Sequence, residues 1–187
     1  MFRKLALISA LVLSLSGCGL VSVTDANHTE HNMKLNNSGY SANDVMFAQM
    51  MIPHHQQAVD ISVIALQRST NQEVRNLAER IRAEQTAEIA TMRSWLAKAN
   101  QPETNNMNHM GSGMLSDEDI RQLRVTSGVA FDALFMQDMM KHHQGAIQMT
   151  NPALESDSQE VRDFAKQLIQ NQKTEITIMK QLLAILR

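Results

Sequence analysis

One cysteine, three prolines and seven glycines are all that this chain of 187 residues holds of the residue types that staple, bend or loosen a backbone. With Cys18 as the sole cysteine, the folded part has no disulfide and no thiolate ligand. A soft metal site would have to be built from methionine and histidine. Aromatics are scarce, with one Trp, one Tyr and five Phe, whereas methionine reaches 14. Positive charge is not in excess: 17 Lys and Arg stand against 19 Asp and Glu, which removes the electrostatic footprint of a nucleic-acid binder. No apolar run reaches the roughly 20 residues a membrane-spanning helix needs. Several catalytic signatures are missing too. There is no Glu-x-x-His of the di-iron carboxylate bundles, no His-Glu-x-x-His, no glycine-rich phosphate loop and no Gly-x-Ser-x-Gly.

What is present begins with a leader. Arg3 and Lys4 precede an apolar run from Leu5 to Leu15, too short to span a bilayer but suited to a signal peptide. Leu15-Ser16-Gly17-Cys18 follows and resembles a bacterial lipobox, in which cleavage precedes a cysteine that is then lipidated. Residues 1–17 are therefore expected to be a lipoprotein signal peptide and Cys18 the lipid-bearing residue. The mature chain would carry 15 basic against 19 acidic residues and be anchored in the bacterial cell envelope, its domain facing the periplasm or the outside. Residues 18–40 are polar and read as a flexible tether.

From 41 to 187 the pattern is helical. Ser41 or Asn43 can cap a helix over about 42–67, and Asn71 one over about 72–99, with Pro102 just beyond it. Residues 100–116 form a linker containing Met-Asn-His-Met. Ser116-x-x-Asp119 reads as a capping box opening a third helical segment that Gly128 breaks or kinks before it runs on to about 150. Asn151-Pro152 interrupts the pattern, and a last helix covers about 158–186.

The two halves, about 42–99 and 117–187, repeat. At an offset of 88, Phe47, Gln49, Met51, His54, His55, Gln56 and Ala58 recur as Phe135, Gln137, Met139, His142, His143, Gln144 and Ala146. At an offset of 87, Gln72-Glu73-Val74-Arg75 recurs as Gln159-Glu160-Val161-Arg162, and Gln85, Glu88, Ile89 and Met92 as Gln172, Glu175, Ile176 and Met179. A helix hairpin with an apolar face has been duplicated, so the predicted fold is all-α, a four-helix bundle of two hairpin halves.

Steps of three and four put Phe47, Met51, His54, Ala58 and Ile61 on one stripe, with His55 about 100° round on an apolar flank. Gln85, Glu88 and Met92 share a face of the next helix, and the second half copies both patterns. The candidate metal ligands are Met51, His54, His55, Glu88 and Met92, with Met139, His142, His143, Glu175 and Met179. A second set, for capture of a soft ion by mobile chain, is His28, His31 and Met33 in the tether and Met107, His109, Met110 and Met114 in the linker. A histidine held in the core by a carboxylate, with methionine as a flexible filler, would explain each motif without a metal.

At these residues the chain resembles the domain-of-unknown-function family 305, whose mark is Phe-x-x-x-Met-x-x-His-His-Gln-x-Ala followed by a helix bearing Gln-x-x-Glu-Ile. Both halves carry it. The resemblance implies a ferritin-like helical bundle of the bacterial envelope. Some of the family bind copper and assist copper resistance, which makes Met51, His54, His55, Met139, His142 and His143 the positions to test. The expected function is binding of a soft ion, Cu(I) foremost, for sequestration, trafficking or resistance. A redox enzyme built on a bundle-core metal, and a metal-free structural lipoprotein, stay open beside it, as do a homo-oligomer and a copper-handling partner protein.

Overall fold

The computed structural model describes residues 38–103 and 111–186. The leader, Cys18, the tether residues His28, His31 and Met33, and the linker residues Met107, His109 and Met110 lie outside them. Four long helices form the bundle: α1 (Ala42–Arg68), α2 (Gln72–Lys98), α4 (Gly128–Thr150) and α5 (Gln159–Ile185). A short α3 (Asp117–Val125) precedes α4, and a 3-10 turn (Asn151–Glu155) joins α4 to α5. The architecture is the all-α, ferritin-like bundle of two hairpins that the repeat predicts. Among the described residues no helix is long and apolar enough to cross a membrane.

Local chemistry sets the helix ends. Ser41 caps α1 in a full capping box with Asp44, and Ser116 does the same for α3 with Asp119. Asn71 accepts from the amides of Glu73 and Val74 at the start of α2. The predicted break near Gly128 falls at Thr126-Ser127, and Gly128 opens α4 at φ +62°, a value that suits glycine. The duplicated Gln-Glu-Val-Arg has a structural purpose. The Arg75 guanidinium donates to the carbonyls of Leu66 and Ser69, and that of Arg162 to Ser156, so each arginine locks the turn that precedes its own helix. Ser41→Ala removes the acceptor for the Asp44 amide, and an equilibrium denaturation curve is expected to lose about 1 kcal/mol. An unchanged midpoint would show that the buried Asp44 carries the cap alone.

The core falls into two apolar clusters. One joins Ala48, Met51 and Ile52 of α1 to Ile89, Met92 and Trp95 of α2, Ala146 of α4 and Val161 to Leu168 of α5. The other joins Ala58 to Ala65, Val74 to Ile81, Phe131 to Met139, and Ile176 with Met179. Each long helix passes through both clusters and leaves a polar gap between them. The gap holds His54 and His55 on α1, Gln85 on α2, His142 and His143 on α4, and Gln172 and Glu175 on α5, all buried, with Glu88 at its rim. The repeat thus produces one polar layer across the middle of the bundle, made by all four helices.

Candidate functional site

Burying four imidazoles, two amides and a carboxylate in an aliphatic core is costly unless their polar atoms find partners. The outer pair does. His55 Nε2 donates to Glu88 Oε2 at 2.8 Å, and His143 Nε2 to Glu175 Oε2 at 2.6 Å. Glu88 keeps 14% of its side chain exposed and Glu175 4%, with Arg80 3.9 Å from the second carboxylate. A carboxylate only accepts, so in each pair Nε2 carries the donated proton. Among the described residues, both Nδ1 atoms are buried without a partner.

The inner pair is different. His54 meets its copy His142 near the axis between the halves, with ring centroids 3.8 Å apart and planes tilted by 38°. His54 Nε2 donates to the Ser112 carbonyl at 3.0 Å, and Nδ1 has no partner among the described residues. Among the described residues, His142 has no partner within hydrogen-bond distance on either nitrogen. Burial, reinforced by the neighbouring His55, pushes the His54 pKa down to about 3. Burial and then His54 push His142 well below the ordinary imidazole value. Both rings are neutral near pH 7 and each offers a lone pair. Gln85 and Gln172, copies of one another, likewise leave both amide atoms unpaired among the described residues.

Sulfur surrounds this layer. Met51 and Met92 belong to the cluster on one side and Met139 and Met179 to the other, all fully buried. Each sequence-predicted half-set is therefore brought to one side of the histidines. Glu88 and Glu175 sit one step out, as acceptors that orient His55 and His143, an arrangement common behind metal-ligating imidazoles. Among the described residues, no three His, Asp or Glu side chains converge to hold an ion by themselves. Donors of this kind suit a soft ion that accepts thioether sulfur and low coordination better than a hard ion that needs an oxygen cage.

Residues that the periodicity did not flag close the site. The linker residues 111–116 form a strap over the inner pair. Gln57 pins the strap with two bonds, donating to the Leu115 carbonyl and accepting from its amide. Ser112 Oγ donates to Gln148. Gly145, the copy of Gln57, has no side chain, and a Cβ there would overlap the Ser112 carbonyl and stand 2.7 Å from Gly113 Cα. Met149 Sδ and the His54 ring flank Gly111, 2.9 and 3.1 Å from where a Cβ on it would be. The signal was present as a lone glycine in mid-helix whose repeat partner is glutamine, a mismatch at an otherwise duplicated motif. Met114, predicted as a capture residue, lies half-buried in this strap.

The geometry can be set beside known proteins. The sequence profile described as Domain of unknown function (DUF305) matches residues 44–183. The crystal structure of a DUF305 fragment from Deinococcus radiodurans is 31% identical with a TM-score of 0.73, covering 78% of this chain and 97% of that one. A putative secreted DUF305 protein from Streptomyces coelicolor is 30% identical with a TM-score of 0.72, covering 76% and 92%. CopM in its Cu(I)-bound form is 28% identical with a TM-score of 0.64, covering 75% and 95%, and CopM has also been solved with silver bound. No curated protein matches the sequence.

Proposed function

We propose, because this chain belongs to the DUF305 family, that its bundle binds a soft metal ion, Cu(I) foremost, for sequestration, trafficking or resistance in the bacterial envelope. The observation that carries the reading is the inner histidine pair: two buried, neutral imidazoles with unpartnered ring nitrogens, set between layers of thioether sulfur. An orphaned buried acceptor costs about 1–3 kcal/mol. A bound cation would recover that cost at His54 and His142, as well as at Nδ1 of His55 and His143. Met51, Met92, Met139 and Met179 are the soft donors within the same core. The similarity to CopM, a protein solved with Cu(I) and with silver, supports the choice of ion. The lipobox-like Leu15-Ser16-Gly17-Cys18 supports an envelope membrane anchor through Cys18.

The protein's own residues would act as ligands, orienters and a cover. His54 and His142 hold the ion and Glu88 and Glu175 fix the tautomers of the outer pair. The strap keeps water from the layer. A metal-free reading has one observation in its favour: the His55–Glu88 and His143–Glu175 pairs could serve solely to fix helix register.

The test is anaerobic competition between the mature protein and a Cu(I) chelator. The wild type is expected to compete below micromolar free Cu(I). Replacing both inner rings, His54→Leu with His142→Leu, is expected to weaken binding about 100-fold or more, some 2.7 kcal/mol. Its metal-free melting temperature should hold or rise, because the lost groups were largely unsatisfied. A wild type that cannot compete at micromolar free Cu(I), or a double variant with wild-type affinity, would refute the reading.

A further inference from the structure

Methionine is concentrated a second time, outside the polar layer and outside the repeat. A cavity of about 430 Å³ opens between the start of α1 and the 3-10 turn after α4. Met46 and Met50 of α1 and Met149 of α4 line it, with Phe47 and the carboxylates of Asp44 and Glu155. Met46 and Met50 are four residues apart, so they lie one above the other on one helix face. Met46 is 41% exposed, and Met50 and Met149 are each half-buried. Met149 packs against the first core cluster, but a thioether left to solvent gains little from burial, so packing does not account for Met46.

The duplication offers no account of it either. The counterparts of Met46, Met50 and Met149 in the opposite half are Leu134, Asp138 and Ile61, so all three sulfurs belong to one end of the molecule only. Met149 also ties the cavity to the core, since its sulfur flanks Gly111 opposite the His54 ring.

We infer that this cavity is a second binding site for a soft monovalent cation, held by the thioethers of Met46, Met50 and Met149, at the doorway to His54. Three unbranched thioether arms can converge on one ion without backbone movement, because each has three rotatable side-chain bonds. Sulfur donors alone leave the charge of such an ion uncompensated; the acidic Glu155 lines the same cavity, as does Asp44, whose carboxylate also caps α1. Three neutral, soft donors reject Mg(II) and Ca(II), which need oxygen shells, and admit Cu(I) or Ag(I). The ion would arrive at the exposed Met46, pass inward to Met149 and reach the imidazole beside it. The inference builds on the soft-metal reading of the bundle but concerns separate residues.

Native mass spectrometry of the mature protein with Ag(I) counts bound ions directly. Met46→Leu with Met50→Leu is expected to bind one Ag(I) fewer than the wild type at saturation. Leucine keeps the volume and the apolar character, so the melting temperature should not move. Met149→Leu should lose the same ion. The inner-pair variant, His54→Leu with His142→Leu, should keep the cavity ion and lose a core ion. Wild-type stoichiometry in both methionine variants overturns the cavity site, whatever the histidine variant does. A histidine variant that loses nothing, beside methionine variants that lose one ion, would leave the cavity site standing and remove the core site.

Discussion

Acidification from pH 6.5 to 4.5 is expected to remove about 2–3 kcal/mol of stability from the metal-free protein through His54 alone. The folded pKa of His54 is about 3, against 6.5 for an unburied imidazole. Between those values the unfolded chain binds a proton that the folded chain refuses, so stability falls as pH falls. His142, pushed the same way by burial and by His54, adds to the loss, although one protonated ring opposes protonation of the other. Asp138 works against the trend. Burial and the nearby Asp119 raise its carboxyl to about 6, so the folded state takes up that proton first. Asp138 is half-exposed, and solvent reduces its opposing contribution to about 1 kcal/mol. The net result is a melting temperature lower by several degrees at pH 4.5 than at pH 7, at about 2–4 °C per kcal/mol for a domain of this size. Denaturant titrations in the presence of a chelator, across this pH range, measure it. The variant with His54→Leu and His142→Leu should show a flattened or reversed slope. A wild type as stable at pH 4.5 as at pH 7, or a double variant with the wild-type slope, would sink the assignment of these rings as neutral core groups.

The same two histidines mark how far the residues alone could be read. Helical spacing put His54 on the core stripe and His55 on the flank, but left undecided which of them Glu88 serves. The decision belongs to helix neighbours. The flank of α1 faces α2, its hairpin partner, so His55 reaches Glu88 at 2.8 Å. The stripe faces the axis and α4, so His54 meets His142. Periodicity gives angular positions on one helix, and only the packing of hairpin on hairpin converts them into partners. The bundle itself was legible for a simpler reason: the repeat, the Ser41 and Ser116 capping boxes and the Asn71 cap are local signals that agree with one another. The strap was not legible. Residues 111–116 have no period, and their position depends on Gln57 and Gly145, which face them from α1 and α4. Met46 and Met50 were passed over because they lie off the stripe that the repeat defines.

Gly145→Ala should have an effect out of proportion to one methyl group, because it attacks that strap. Helix interiors ordinarily gain about 0.8–1 kcal/mol when glycine becomes alanine. Here the new Cβ would overlap the Ser112 carbonyl group, and those are backbone atoms that no rotamer change can move aside. Gly113 cannot yield either. It holds φ +82°, and a Cβ on it would stand 2.6 Å from the Lys141 carbonyl oxygen, so helix and strap already touch through two glycines. The strap must therefore lift. Lifting breaks the bond from His54 Nε2 to the Ser112 carbonyl and that from Ser112 Oγ to Gln148, while Gln57 still holds Leu115 on the far side. Overpacking costs about 1–3 kcal/mol, and a clash with backbone takes the upper part of that range, so after the helix-propensity gain a net loss of about 1–2 kcal/mol is left. The expected result is a fall of about 2–8 °C in melting temperature. It should come with faster loading of Ag(I) into the core, because the cover over His54 is loosened. Adding Gln57→Leu, which frees the other end of the strap, should speed loading again. A Gly145→Ala protein that melts above the wild type would mean that the strap yields at no cost. One that loads Ag(I) at the wild-type rate would mean that the strap does not guard the histidines. Stopped-flow loading and thermal melts on the same samples separate the two claims, since strain is read in the melt and access in the rate.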